Sequence, residues 1–104
     1  MLIEDRLIAL GFSEEEELRN MFHPEEKIYI IDPMIWIGVC PKKNKLYFYE
    51  DKEMVRTFSA DEITGMNYKE IYENGQIFVD FMRFNMKNGG NVTISQDGLR
   101  WKKF

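Results

Sequence analysis

Reactive and cross-linking side chains are almost missing from this sequence. Cys40 is the only cysteine, so no disulfide can form within the chain. His23 is the only histidine, which removes His-rich metal sites and leaves little from which to build an imidazole relay. A Cys40–His23 nucleophilic pair has no glycine-rich turn or helix start beside the sulfur to lower its pKa, so Cys40 reads as a small packed residue. Phosphate loops are absent too: Gly89-Gly90 precedes a strand, and no lysine follows at the required spacing. The strand acids Asp61, Glu62, Asp80 and Asp97 lack calcium-loop spacing. The expectation is a protein that is not an enzyme and needs neither metal nor cofactor. Long apolar runs are also lacking. Residues 28–31 and 34–40 are interrupted by Asp32 and Pro33, far short of the ~20 residues of a membrane span. The first residues carry Glu4 and Asp5 where a signal peptide would be basic, so a cytoplasmic location is expected.

What the chain does hold is aromatic area: eight Phe, five Tyr and two Trp among 104 residues. Large rings bury much surface per residue and favour strands, so a chain of this length can form one domain with its own core. Charge is unevenly spread. Residues 1–26 carry eight acids against Arg6 and Arg19, whereas residues 27–104 carry twelve bases against ten acids. The N-terminal quarter is therefore acidic and the remainder mildly basic.

The first 23 residues have helical spacing. Ile3, Leu7 and Leu10 recur at i, i+4 and i+7 over residues 2–10, and Gly11 stands where a helix-ending glycine belongs. Ser13-Glu14-Glu15-Glu16 spells a capping box, followed by the apolar stripe Leu18, Met21 and Phe22 up to Pro24. An αα-hairpin is expected. From residue 27 the period becomes two. Segments 27–32, 34–40, 45–50, 53–58, 63–72, 76–87, 92–95 and 99–104 alternate or run apolar between tight polar connections. Asn74-Gly75 is the strongest hairpin signal. Ser59-Ala60-Asp61-Glu62 spells one further helical turn. Connections this short force antiparallel neighbours. The expected fold is α+β: a helical hairpin, residues 1–23, packed on a seven- or eight-stranded antiparallel barrel or roll, residues 24–104, as one domain.

Residues 24–96 resemble the bacterial PH-like domains, relatives of pleckstrin-homology and GRAM modules. The resemblance rests on the opening Pro24-Glu25-Glu26-Lys27-Ile28 and on the apolar strand, basic turn and aromatic strand from Ile37 through Lys42-Lys43-Asn44-Lys45 to Phe48. The step from Phe58 to Ile63 and the Asn74-Gly75 and Gly89-Gly90 turns complete it. It implies a barrel with a closing C-terminal helix. Nothing after Ser95 can form that helix, so the N-terminal helices are expected to take its place. Phosphoinositide-binding members use a basic loop between the first two strands. Here Asp32-Pro33 stands there, so headgroup binding is not expected.

Binding surfaces remain to be sought. A helix opening with Glu14, Glu15, Glu16 and Glu17 opposes phosphate, which argues against a double-stranded DNA reader. Those acids otherwise read as a solvated helix start. Two basic-aromatic segments, residues 42–49 and 100–104, suit a single strand or phosphate surface, or simply a protected strand edge. Over residues 76–87, Phe78, Met82, Phe84 and Met86 fall on one face with Asp80, and Ile77, Val79 and Phe81 on the other. A strand apolar on both faces needs cover on both. The leading expectation is a non-catalytic protein-binding or self-associating module of PH-like type, using the outer face of 76–87 with Trp36 and Trp101. The alternative is a small phage or mobile-element inhibitor whose acidic N-terminal segment engages a basic site on a host protein.

Overall fold

The computed structural model describes residues 3–31, 33–95 and 98–103, with side chains throughout except at 68, 70, 71, 76–81, 95 and 98–103. The chain divides into two compact units, Met1–Asp61 and Glu62–Phe104. Each is built on a four-stranded antiparallel sheet with strands in sequence order.

The first unit begins with helix α1, Ile3–Ala9, which buries Ile3 and Leu7. Gly11 ends it with φ 97°, and the Phe12 N–H returns to the Leu7 carbonyl at 3.0 Å, as the sequence signals required. The expected second helix does not form. Glu14 makes an antiparallel bridge with Tyr29, and the Glu15 N–H donates to the Ile28 carbonyl at 2.8 Å. Residues 14–15 thus extend a sheet edge, leaving a single 3-10 turn, Glu16–Leu18, without a side-chain cap. A short isolated helix is marginal in water, so backbone pairing to a formed strand outweighs the capping-box signal here. Among the described residues there is one short α-helix, not a helical hairpin.

Strands β1 (Lys27–Ile30), β2 (Ile35–Cys40), β3 (Lys45–Glu50) and β4 (Glu53–Ser59) follow. β2 is buried along its whole length, and β3 is buried from Leu46 to Tyr49. One sheet face carries Ile28, Trp36, Cys40, Tyr47 and Tyr49, onto which Leu18, Phe22 and Ile30 pack. Alternation sends Tyr29, Ile35, Ile37, Val39, Leu46 and Phe48 to the other face, also buried. Asp51 and Lys52 join β3 to β4 with φ 52° and 65°, the two left-handed residues of a type I′ turn built without glycine.

The second unit contains β5 (Ile63–Glu73), β6 (Gln76–Met86), β7 (Gly90–Ser95) and β8 (Gly98–Lys103). Asn74 and Gly75 turn β5 into β6 with φ 50° and 78°, as their dipeptide predicts. Across this sheet Met66 faces Phe84, Phe84 faces Val92, and Met82 faces Ile94. All five are buried, so they form one apolar layer. Arg83 and Asn85, on the opposite face, are partly buried, and Arg83 Nε donates to Thr93 Oγ1 at 3.4 Å.

The strands are as numerous as the alternation implied, and a 3-10 turn, Ala60–Glu62, stands where Ser59–Glu62 spelled one. The hydrogen-bonded ladder breaks there. Two separate sheets result, in place of the expected closed barrel. Among the described residues no helix is long and apolar enough to cross a membrane.

Lys52 occupies the left-handed region that disfavours a side chain by ~1 kcal/mol. Lys52→Gly is expected to raise the denaturant midpoint, by up to ~1 kcal/mol of stability.

Candidate functional site

The most unusual chemistry in the first unit lies under the segment that leads into β1. Glu26 precedes Lys27 and continues the side-chain alternation of Ile28, so its carboxylate points onto the aromatic face of the sheet. It is fully buried. The Tyr49 hydroxyl donates to its Oε2 at 2.6 Å, and His23 Nδ1 lies 3.4 Å from the same oxygen. Among the described residues Oε1 has no hydrogen-bond partner. A buried carboxylate with one unsatisfied oxygen costs several kcal/mol unless something offsets it.

Space for the carboxylate comes from Gly38 in the middle of β2. A Cβ there would overlap Glu26 Oε2 and approach Tyr49 Cε2 to 3.0 Å. Gly38 pairs with Ile28 on one side and Tyr47 on the other, so the slot lies at the centre of the sheet. A glycine inside an apolar strand is the mark of such a close approach.

Residues 20–25 close over this slot as a strap. Phe22 stacks on Tyr49 at 4.4 Å between centroids and tilts against Trp36 at 6.3 Å. His23 stacks on Tyr47 at 4.1 Å. Each such ring pair adds about 0.5–1.5 kcal/mol beyond the area it buries. The single Tyr49 hydrogen goes to Glu26, yet His23 Nδ1 lies 3.2 Å from the Tyr49 oxygen as well as beside Glu26. Three acceptors cannot face one another with one hydrogen between them, so Nδ1 is the ring nitrogen that carries a hydrogen.

Burial, then the hydrogen bond to Glu26, pushes the Tyr49 phenol far above its ordinary range. Burial also raises Tyr47, with Cys40 and Glu26 contributing. The Cys40 thiol is raised by burial and then by Glu26, the opposite of the activation a nucleophile needs. A carboxylate, phenol and imidazole in contact can pass a proton; here Glu26 is closed off from solvent and His23 is partly exposed. Among the described residues no group of three His, Cys, Asp or Glu side chains is placed to hold a metal. A separate cleft of about 220 Å³ opens between α1 and the ends of β2 and β3, floored by Ile3, Val39 and Leu46 and edged by Glu4, Lys45 and Asp61. It is smaller than the ~300–1,000 Å³ usual for ligand pockets.

Of the residues singled out from sequence, Trp36 belongs to this strapped face. Met82, Phe84 and Met86, expected to line a docking face, are buried. The side chains of Phe78 and Trp101 lie outside the described set. The four glutamates do not converge. Glu14 is held by Arg19 in a two-pronged pair at 2.6 and 2.7 Å, which lowers its pKa, whereas Glu15, Glu16 and Glu17 are exposed. No family model, curated protein or solved structure matches the chain.

Tyr49→Phe removes the hydrogen bond to Glu26 while keeping the ring. Urea titration is expected to show a loss of roughly 1.5–3 kcal/mol, the range for a hydrogen bond to a charged group. A loss within error would mean that Glu26 does not depend on this donor.

Proposed function

We propose that the chain is a non-catalytic protein-binding module, self-association included, and that the aromatic face of the first unit is where it binds. One observation carries this reading. Of the five large apolar side chains left exposed in that unit, which include Ile8 and Val55, the three methionines Met21, Met34 and Met54 border the face in chain or register. Met21 precedes Phe22 in the strap, Met34 stands two residues before Trp36, and Met54 pairs with Tyr49 across the β3–β4 ladder. Each is about half exposed (54%, 50% and 53%). Methionine is flexible and polarisable, so it adapts to differently shaped apolar partners. A single exposed apolar residue means little, whereas a set around buried aromatics has the composition of a recognition surface. The PH-like build remains part of the proposal on sequence pattern alone.

The acidic-segment alternative has less support. Glu4 is 3.2 Å from Lys27, Glu14 is paired with Arg19, and Glu25 is 2.8 Å from Lys42. Three of the eight N-terminal acids are thus paired with cations within the unit, leaving Glu15, Glu16 and Glu17 exposed around one turn and Asp5 exposed on α1.

The test is a double substitution, Met21→Lys with Met54→Lys, followed by sedimentation equilibrium and cross-linking in the source cell. Wild type should self-associate or capture a defined partner, and the double variant should do so at least about tenfold less well, the effect of losing roughly 1.4 kcal/mol. A wild-type chain that is monomeric throughout and cross-links to the same proteins as the variant contradicts the proposal.

A further inference from the structure

The strap and the slot beneath it have features of a ligand and its site within one chain. The slot has walls of Trp36, Tyr47 and Tyr49, a base at Gly38, and a buried acid, Glu26, with one oxygen unpartnered. His23 enters it as a flat, hydrogen-bond-donating ring. It lies face to face with Tyr47, 14° from parallel, with Nδ1 3.4 Å from Glu26 Oε2. A ring stacked on an aromatic face with a nitrogen close to a carboxylate occupies the place where a guanidinium binds best, since that group stacks on aromatic faces and donates in its own plane to a carboxylate. The imidazole fills that place incompletely. It reaches Oε2 alone, whereas the forked donors of a guanidinium can serve both oxygens at once.

The strap is attached weakly where it covers this slot. Only Phe22 and His23 of residues 20–25 are partly buried, and Asn20, Met21, Pro24 and Glu25 are exposed. Both end residues are left-handed, Asn20 at φ 65° and Glu25 at φ 62°, a conformation costly for side-chain-bearing residues. The base of the loop is clipped by the Asn20 N–H to the Glu26 carbonyl at 3.1 Å and by the Glu25 N–H to Asn20 Oδ1. Local hydrogen bonds from Met21 N–H to the Leu18 carbonyl and from Glu26 N–H to the His23 carbonyl, and the rings of Phe22 and His23, also hold it, whereas the Glu25–Lys42 pair is solvent-exposed and so contributes little. A segment with few buried contacts and strained ends belongs to the low-stability part of a fold. Glu26 is not part of what lifts, because its side chain lies on the sheet face shared with Ile28.

We propose that residues 20–25 are a displaceable plug, and that the slot beneath them receives an arginine side chain from a partner protein. This rests on the protein-binding reading above and gives it a chemical partner. Charge complementarity selects the occupant: the unpartnered atom is a carboxylate oxygen, and the walls are aromatic. An apolar side chain would leave Glu26 unpaired. A lysine would offer a point charge without the planar stack.

The test titrates the full chain with Nα-acetyl-arginine amide, its lysine counterpart and its norleucine counterpart, following backbone amide shifts by NMR. Wild type should show weak saturable shifts at Gly38, Tyr47 and Tyr49 with arginine. His23→Gly, which empties the stacking position, should bind arginine at least about tenfold tighter, because opening no longer competes with binding. Adding Glu26→Gln to that variant should abolish the gain, and lysine and norleucine should bind several-fold more weakly than arginine. Equal binding by wild type and His23→Gly, or a gain that survives Glu26→Gln, overturns the proposal. Hydrogen exchange on unmodified protein gives a second reading that needs no variant to fold. The Asn20 and Glu26 amides should be protected about a hundredfold less than Ile37 and Phe48, as expected for local opening; equal protection overturns the plug. If the methionine variants weaken association while arginine shows no preference, the protein-binding reading stands and the slot assignment falls.

Discussion

A carboxylate taken out of water must find compensation locally, and Glu26 finds it in a small space at the centre of the first sheet. Tyr49 supplies the short hydrogen bond, His23 the nearby donor, and Gly38 the room. Each of these depends on the others. Without a glycine at 38 the carboxylate could not reach the Tyr49 hydroxyl, and without the carboxylate His23 Nδ1 would keep only the Tyr49 oxygen as a polar neighbour. Phe22 and Leu18 add the apolar part of the cover. The first unit is therefore organised around a polar group in its aromatic layer, and Oε1 is the point at which that organisation is incomplete.

This incompleteness matters for function because strands and strap differ in how firmly they are held. β2 is paired on both sides and buried along its length. Residues 20–25 are largely exposed and close the slot with two rings. A rigid aromatic and acidic surface under a loosely held cover can serve recognition, since the energy that seats the cover also sets the affinity for whatever replaces it. On the proposed binding role, the exposed methionines beside the same face extend the surface a partner can touch.

Much of the local structure was legible in the sequence, for identifiable reasons. Asn74-Gly75 specifies its own turn because both residues tolerate positive φ, and Gly11 ends α1 for the same reason. Alternation located the strands. It could not tell a barrel from two sheets, because ladder closure depends on pairing between distant segments. The expected second helix does not form because a capping box is a local signal, whereas Glu14 and Glu15 pair with β1, more than ten residues away. Met82, Phe84 and Met86 were correctly grouped on one face, but period two does not say whether that face is open. Glu26 was passed over as one acid among several before a strand. Two signals could have found it: its alternation with Ile28 on the aromatic face, and Gly38 inside an otherwise apolar strand.

The dependence of Gly38 on Glu26 can be measured directly by a double-mutant cycle of Gly38→Ala and Glu26→Ala, read as unfolding free energies in urea. Gly38→Ala should destabilise wild type by roughly 1–3 kcal/mol, the usual cost of overfilling a packed site. In the Glu26→Ala background, where the new methyl group occupies vacated space, most of that cost should vanish. Equal losses in both backgrounds would contradict the account, because the glycine would then not be making room for the carboxylate.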